Sequence, residues 1–243
     1  IYENNLPPYI RLFHELNISP ASPIEFEADE YDPEDDENID VYYELNYSEI
    51  KSSSSTPIPL LACAYDIETY SSTGKFPVAT IYEDEIMQIG LSFRYTNDLL
   101  KNVKKFVFVN KECSESLDPS VKFISCKDEK DLLVKFHKCI LDENPDIIAG
   151  YNTFGFDDPY IADRSHINKV SLNFGRIPIE SWKAKEYVTT EKKTFELASG
   201  KFAVRYISMP GRLTIDLLLS VRREQNLDSY KLDCFMLRNH ITR

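Results

Sequence analysis

The stretch LLACAYDIE, residues 60–68, decides the fold prediction because it is an apolar run that ends in two acids. A run of this length and composition is typical of a buried strand. EIMQIGLSF (85–93) alternates apolar with other side chains and KKFVFVN (104–110) is rich in β-formers, so both are predicted to be strands. Asp128 then caps a helix with apolar residues at helical spacing, and DIIAGYN (146–152) reads as a short strand.

This order of three strands, a helix and a strand favours an α/β fold, with a mixed sheet flanked by helices. The first three strands can form a meander, and we expect the fourth to lie parallel beside the first. Asp158 and Pro159 predict the start of a second helix, with Asp158 as its N-cap residue and Pro159 in the first helical position.

The last third of the chain predicts a β-hairpin and two helical segments. Residues 186–196 and 201–209 have β-forming composition and flank a Ser-Gly turn, so the hairpin is predicted over about 186–209. Helical segments are expected over roughly 214–225 and from Ser229 onward.

The residues before this pattern indicate a separate region. DEYDPEDDENID (29–40) is mostly acidic and predicts a solvated loop, and a plausible strand follows at 41–50. Ser52 to Pro57 have linker composition. We therefore divide the chain into residues 1–56, part of a small β-rich N-terminal domain, and residues 57–243, the α/β domain.

Charge is unevenly distributed along the 243 residues, whose formal net charge is −12. Residues 1–60 hold 14 acidic and 2 basic side chains, whereas residues 164–243 hold 8 acidic and 15 basic ones, a net charge of +7. The C-terminal third is thus able to contact phosphate, although scattered Lys and Arg also simply solvate a surface. Apolar runs are too short for a membrane span and the five cysteines are scattered, which predicts an intracellular protein with reduced thiols.

Three carboxylates are the candidate catalytic and metal-binding residues. Asp66 and Glu68 are two apart on a predicted strand, so their side chains share a face. Asp157 follows the strand expected beside theirs. Carboxylates gathered in this way bind hard cations such as Mg²⁺, and two such ions can hydrolyse a phosphodiester. The alternative is that Asp66 and Glu68 are surface acids and that Asp157 belongs to a helix start.

Two motifs carry a resemblance to a known family. YDIETYSSTGKFP (65–77) resembles the first exonuclease motif of B-family, delta-like replicative DNA polymerases, and GYNTFGFD (150–157) resembles their second. The opening residues 1–26, residues 211–216 and LDSYKLDCF (227–235) are also similar to that family. The match covers nearly the whole chain and implies the end of the polymerase N-terminal domain followed by most of its RNase H-like 3′→5′ proofreading exonuclease domain.

The resemblance also implies roles for particular residues. Asp66, Glu68 and Asp157 match the positions that bind two catalytic ions, Mg²⁺ or Mn²⁺, while Asn152 and Phe156 match positions that place the frayed 3′ end of the primer. Phe156 is equally well explained as a core residue. The hairpin resembles one used when the primer strand separates from the template. Its basic residues contact either phosphate or water; they are Lys192, Lys193, Lys201 and Arg205.

The partners implied are single-stranded and primer-template DNA, the remainder of the polymerase chain, and a clamp or accessory subunits, without a membrane. The expected location is the nucleus for a cellular protein or the replication site in the host cell for a viral one. Two other functions stay open. One is a non-catalytic RNase H-like module that binds DNA or a partner, and the other is a free-standing exonuclease.

One departure from the family pattern affects activity. The third exonuclease motif, Y-x3-D, is not found before Arg243, since Tyr230 lies only three residues before Asp233. Neither Asp233 nor Asp216 is therefore assigned as a metal ligand. The chain alone is expected to be a weak or inactive exonuclease and to lack polymerase activity.

Overall fold

The computed structural model describes residues 5–31, 41–54, 58–98, 103–114, 118–177, 187–197 and 200–238. Contacts within the chain divide it into two units, Ile1–Pro59 and Leu60–Arg243. Most of the predicted acidic loop and the first residue of the predicted hairpin turn lie outside the described residues.

The first unit contains short elements. Helix α1 spans Pro8–Glu15, and four two-residue strands pair antiparallel, β1 (Ile24–Glu25) with β4 (Lys51–Ser52) and β2 (Glu30–Tyr31) with β3 (Tyr42–Tyr43). The strand predicted over 41–50 is shorter than expected. Asn46 and Glu49 there form a capping box that favours a 3₁₀ turn over extended backbone.

The second unit is built on a six-stranded mixed sheet in the order β12-β9-β5-β6-β7-β8. Strands β5, β6 and β7 form the predicted antiparallel meander, and β9 lies parallel beside β5, as predicted. The six strands are β5 (Leu61–Thr69), β6 (Ile86–Tyr95), β7 (Lys104–Asn110), β8 (Val121–Cys126), β9 (Ile147–Gly150) and β12 (Leu213–Asp216).

Four helices accompany this sheet: α2 (Glu129–Glu143), α3 (Asp157–Asn168), α4 (Leu217–Glu224) and α5 (Leu232–Arg238). Asp128 caps α2 as predicted, since its side chain accepts a hydrogen bond from the Asp131 amide. The apolar stripe of α2, including Leu132, Leu133 and Phe136, is buried in one core cluster with strand residues of β5 and β6. The α/β class with a mixed sheet flanked by helices, the arrangement expected of an RNase H-like domain, is confirmed.

Two predictions about element bounds in this unit were wrong, and one strand was missed. Helix α3 begins at Asp157, and its N-cap residue is Phe156 rather than Asp158. The segment predicted as helical from residue 214 begins as strand β12, because it pairs parallel with β9 before α4 starts at Leu217. Strand β8 was not predicted, since its residues, at the edge of the sheet, lack a clear alternation.

The predicted antiparallel hairpin consists of β10 (Thr190–Leu197) and β11 (Gly200–Ile207). Strand β11 packs on α3, and its Arg205 amide donates to the carbonyl of Phe154, in the loop before that helix, at 3.2 Å. All five cysteines are free thiols. Within the described part of the chain, no helix has both the length and the apolar character needed to cross a bilayer.

Candidate functional site

The candidate site lies where three neighbouring parallel strands end. Strands β12, β9 and β5 run in the same direction, so their carboxyl ends meet at one edge of the sheet. This edge is where open α/β sheets bind ligands. The end of β5 carries Asp66 and Glu68, the loop 151–156 leaves β9, and β12 ends at Asp216.

Strand β5 presents its two acids on one face. Tyr65 and Ile67 are buried in the core, whereas Asp66 and Glu68 are exposed on the opposite side. This is the alternation expected of a strand with one packed face. The sequence pattern thus predicted correctly that the two carboxylates share a face.

Asp157 is fixed directly against this strand. It is the first residue of α3 and only 2% exposed, and its Oδ1 accepts a hydrogen bond from the Ile67 amide at 3.0 Å. Because Ile67 lies between Asp66 and Glu68, this bond brings the third carboxylate beside the other two residues. The contact joins residues that are 90 positions apart in the chain.

The electrostatics of the pair Asp66 and Asp157 reflect this proximity. Burial, together with the negative charge of Asp66, raises the pKa of Asp157 to about 7. Burial also raises the pKa of Asp66, although a hydrogen bond with Asp157 works in the opposite direction. Two carboxyl groups in this relation favour either a shared proton or a cation that neutralises them.

The donor set suits a hard metal ion, because all its potential ligand atoms are carboxylate oxygens. The structure brings Asp66 and Asp157 together and places Glu68 on the same exposed face as Asp66. Over the ranges that the structure describes, no three Asp, Glu, His or Cys side chains already converge as ligands. The residue types therefore fit a magnesium-type site in chemistry, although Glu68 does not form a three-residue cluster with Asp66 and Asp157 in this structure.

The loop from β9 to α3 is compact and depends on glycine at two positions. A side chain on Gly150 would collide with Thr153 and approach the Tyr65 carbonyl oxygen to 2.9 Å, so β9 can pass close to β5 only with glycine there. A side chain on Gly155 would collide with Asn152. Asn152 itself is exposed and has the left-handed backbone conformation, with φ 65°.

Phe156 lies between the core and the surface. Its ring is half-buried and packs against Tyr160 and Phe76, with both centroids at 5.4 Å. Tyr160 is buried, whereas Phe76 is 73% exposed. Both interpretations of Phe156 therefore retain support, since one side of the ring meets core residues and the other meets an exposed aromatic side chain.

Asp66 is accessible from the exposed face of the sheet. An open groove of about 520 Å³ lies over this face and reaches Asp66 and Tyr151. Leu217 of α4 and Phe235 of α5 line the same groove. Tyr151 also holds the segment between α4 and α5 in this region, because its hydroxyl donates to the Tyr230 carbonyl at 2.6 Å.

Sequence reasoning missed the role of Asp158, which it assigned to a helix cap. The carboxyl group instead accepts hydrogen bonds from the Tyr65 hydroxyl and, at 3.0 Å, from the Ile207 amide of β11. Burial raises its pKa to about 7. Asp158 thus links the hairpin to the strand that carries Asp66. The sequence signal that could have indicated this role is the presence of a second acid directly after Asp157.

Asp216 was also left without a role, yet it is 96% buried at the end of β12. Its carboxylate accepts hydrogen bonds from the amides of Asn152, Phe154 and Leu218. Burial raises the pKa of Asp216, and these backbone hydrogen bonds partly oppose that rise. An acid that ends a strand just before an apolar helix was the signal that could have identified it.

The basic residues of the hairpin are not all free to meet phosphate. Arg205 donates to the Pro159 carbonyl and to Asp163, both at 2.6 Å, and Lys201 pairs with Glu196 at 2.5 Å. The remaining two, Lys192 and Lys193, are exposed and line an open groove beside Phe154. Of the four, these two are best placed for an anionic ligand.

Comparison with known proteins gives a consistent result. The family model for DNA polymerase family B, exonuclease domain, matches residues 1–234. A DNA polymerase of Paramecium bursaria Chlorella virus NY2A is 30% identical over 96% of this chain and 26% of its own length. The DNA polymerase delta catalytic subunit of Dictyostelium discoideum is 31% identical over 96% of this chain and 21% of its own length.

The fold is also similar to a solved structure. A family B DNA polymerase from the hyperthermophilic archaeon Pyrobaculum calidifontis matches with a TM-score of 0.53 at 22% identity, over 89% of this chain and 22% of that one. This likeness supports the fold alone. The chain spans 21–26% of the length of the two relatives above, so it corresponds to only part of each.

Proposed function

Because this chain belongs to the exonuclease-domain family of family B DNA polymerases, we propose that it is the proofreading 3′→5′ exonuclease part of a replicative DNA polymerase. The reaction is hydrolysis of the last phosphodiester of single-stranded or mismatched primer DNA. Water attacks the phosphorus in line, the 3′-oxygen of the preceding nucleotide leaves, and a nucleoside 5′-monophosphate is released. Mismatched ends are preferred because unpairing them costs less free energy than unpairing a matched end.

One observation carries this proposal. The hydrogen bond from the Ile67 amide to Asp157 brings a buried carboxylate to the strand position between Asp66 and Glu68. Acids from two distant motifs thus lie at the ligand-binding edge of one sheet. A chance surface acid would not be buried beside another carboxylate, since that arrangement costs electrostatic free energy.

Asp66, Glu68 and Asp157 would hold the metal, which we propose to be Mg²⁺ or Mn²⁺, with two ions in the site. Bound there, the ions lower the pKa of the attacking water and stabilise the charge on the leaving oxygen. The protein would position the two ions by fixing Asp157 through the Ile67 amide. It also excludes water from the buried side of Asp157.

We propose that Asn152 and Phe156 hold the 3′ end of the strand. Asn152 is exposed at the turn that leads to Asp157, and the half-exposed ring of Phe156 offers a stacking face to an unpaired base. The groove over the sheet gives a single strand access to Asp66. Contacts with the DNA backbone make binding sensitive to salt.

Further proposals concern the surroundings of the domain. Its partners are primer-template DNA, the rest of a polymerase chain and possible clamp or accessory subunits. Its site of action is where DNA is replicated, in the nucleus for a cellular protein or in the host cell for a viral one. The viral and the Dictyostelium relatives support both locations equally.

The test is digestion of 5′-labelled single-stranded DNA by this chain with Mg²⁺ or Mn²⁺. Asp66→Ala/Glu68→Ala is the inactive variant, and Asp142→Ala is the matched control, because Asp142 is an exposed acid on α2. Mn²⁺ binding is measured in parallel by electron paramagnetic resonance. Mn²⁺ binding and weak stepwise 3′ shortening are expected for the wild type and the control, and both are expected to be lost in the double variant.

The proposal is wrong if the wild-type chain neither shortens DNA nor binds Mn²⁺ through Asp66 and Glu68. DNA binding that persists in that case would instead favour a non-catalytic DNA-binding module. Shortening that is equal in the wild type and the double variant would assign the nuclease to another site.

A further inference from the structure

Asp216 ends β12 next to the loop that carries the proposed DNA and metal contacts. The parallel pairing of β12 with β9 places Asp216 directly opposite Gly150, the residue from which the loop 151–156 departs. Asp216 is 4% exposed and therefore has almost no access to solvent. An ionisable side chain at such a position is costly unless the protein supplies it with hydrogen-bond donors.

The donors are all backbone amides, and most of them belong to the loop. Oδ1 accepts from the Asn152 amide at 2.9 Å and from the Leu218 amide at 2.9 Å. Oδ2 accepts from the Phe154 amide at 3.1 Å. Each carboxylate oxygen thus accepts a hydrogen bond from one loop amide. Oδ1 also accepts the hydrogen bond that caps the first turn of α4.

These bonds determine the shape of the loop. Asn152 has a positive φ of 65°, the left-handed conformation, which asparagine adopts more readily than most other non-glycine residues. Its amide and that of Phe154 both point at Asp216, so the chain turns around the carboxylate before it enters α3 at Asp157.

We propose that Asp216 is a positioning residue of the exonuclease site, which shapes the loop 151–156 and thereby orients Asn152, Phe156 and Asp157. This inference rests on the proposed function. Asp216 does not contact the substrate in this role; it acts through the backbone of the loop. A carboxylate suits the role because both its oxygens accept hydrogen bonds, whereas an amide side chain would point N–H groups at the Phe154 or Asn152 amide.

Asp216→Asn is the test variant, because it keeps the volume and removes one acceptor. Asp146→Asn is the matched control. Asp146 lies at the other end of β9, where its carboxylate accepts from the Leu61 amide at 2.8 Å and pairs with Arg176. Both variants thus weaken a carboxylate that accepts from backbone amides next to this sheet, but only Asp216 does so at the carboxyl ends of the parallel strands, where the site lies.

Two readouts are measured on the full chain. Amide hydrogen exchange by NMR, without metal, reports on the loop independently of activity. Cleavage of single-stranded DNA with Mn²⁺ is measured as kcat and KM. For Asp216→Asn we expect faster exchange at Asn152 and Phe154, and a fall in kcat of about 100-fold, the scale of a small misplacement of reacting groups, with little change in KM. For Asp146→Asn we expect faster exchange at Leu61 and normal kcat.

The outcomes separate this inference from the proposed function. A wild-type chain that neither shortens DNA nor binds Mn²⁺ refutes the proposed function, and the role of Asp216 falls with it. If the wild type binds Mn²⁺ but does not cut DNA, the exchange at Asn152 and Phe154 alone decides the role of Asp216. An active wild type together with an Asp216→Asn variant whose kcat equals that of Asp146→Asn refutes only the role of Asp216. Unchanged exchange at Asn152 and Phe154 in Asp216→Asn would also refute it, because the loop would then keep its shape without the carboxylate.

Discussion

Removing the charge of Glu129 should destabilise the domain more than most other single changes of an acid. Glu129 and Arg164 are 3% and 1% exposed, and the guanidinium donates two hydrogen bonds to the carboxylate, at 2.7 and 2.5 Å. The same carboxylate accepts from the Ile86 amide at 2.8 Å and from Asn168 at 2.6 Å. It thereby joins α2, α3 and the start of β6.

The expected loss of unfolding free energy comes from the buried groups that remain without a charged partner. In Glu129→Gln the buried Arg164 keeps its charge but loses the opposite charge, and the new amide group faces the N–H donors of Arg164 and Asn168. Breaking a buried ion pair on one side costs about 3–5 kcal/mol of unfolding free energy. For a unit of this size that corresponds to a fall in Tm of roughly 6–20 °C.

The assay is urea and thermal unfolding followed by circular dichroism. Asp142→Asn is the control, because the pair Lys138–Asp142 has the same charges at 2.8 Å but is exposed on α2, so its loss should cost about 0.5 kcal/mol or less. The double variant Glu129→Gln/Arg164→Met should cost less than the sum of its single changes. If Glu129→Gln costs no more than Asp142→Asn, the argument from burial is refuted.

Three other changes have defined outcomes. Tyr65→Phe removes a donor from the buried Asp158 and should lower the unfolding free energy by about 1–3 kcal/mol in chemical denaturation; no change would show that Asp158 does not need this bond. Burial raises the pKa of Asp146, but the hydrogen bond from the Leu61 amide and the pairing with Arg176 outweigh burial and lower that pKa overall. The ionised Asp146 therefore stabilises the fold fully above about pH 4, and this stabilisation is lost as the pH falls through the lowered pKa. The Tm difference between wild type and Asp146→Asn should therefore narrow below pH 4, and a difference that stays constant would contradict this sign. Phe156→Ala should weaken binding of single-stranded DNA, measured by fluorescence anisotropy with Ca²⁺, by about 1–3 kcal/mol if the ring stacks on a base, whereas unchanged affinity would leave it as a core residue.

The strands of the sheet could be predicted because their pattern is local. In β5 the buried Tyr65 and Ile67 alternate with the exposed Asp66 and Glu68, and this period of two is visible in the sequence itself. The same reasoning failed for β8, an edge strand with few buried residues. Its place in the sheet depends on pairing with β7, which no local pattern encodes.

The bounds of α3 show why the site was only partly predictable. Asp158 and Pro159 have the composition of a helix start, yet the helix begins at Asp157. The side chain of Asp158 is not available as a cap, because it is used by the Tyr65 hydroxyl and the Ile207 amide. These partners are 93 and 49 residues away in the chain, so the tertiary contacts override the local preference.

Asp216 illustrates the same limit for the site itself. Its neighbours in sequence form a strand and a helix, and nothing in them indicates the loop amides of Asn152 and Phe154, which are 64 and 62 residues earlier. The motif acids Asp66, Glu68 and Asp157 could be singled out because residue type and position in a motif are enough to suggest their chemistry. The residues that hold them in place are defined by the fold and become visible only in three dimensions.

The 90 residues between Ile67 and Asp157 also have a consequence for biosynthesis. At 5–20 residues per second, the ribosome needs roughly 5 to 18 s after making β5 to supply α3, and longer still to supply β12. During that interval the β5–β6–β7 meander can form from local contacts, whereas the parallel pairings cannot. The acids of β5 therefore emerge from the ribosome well before Asp157, and the proposed site cannot form on a nascent chain until the start of α3 has been made.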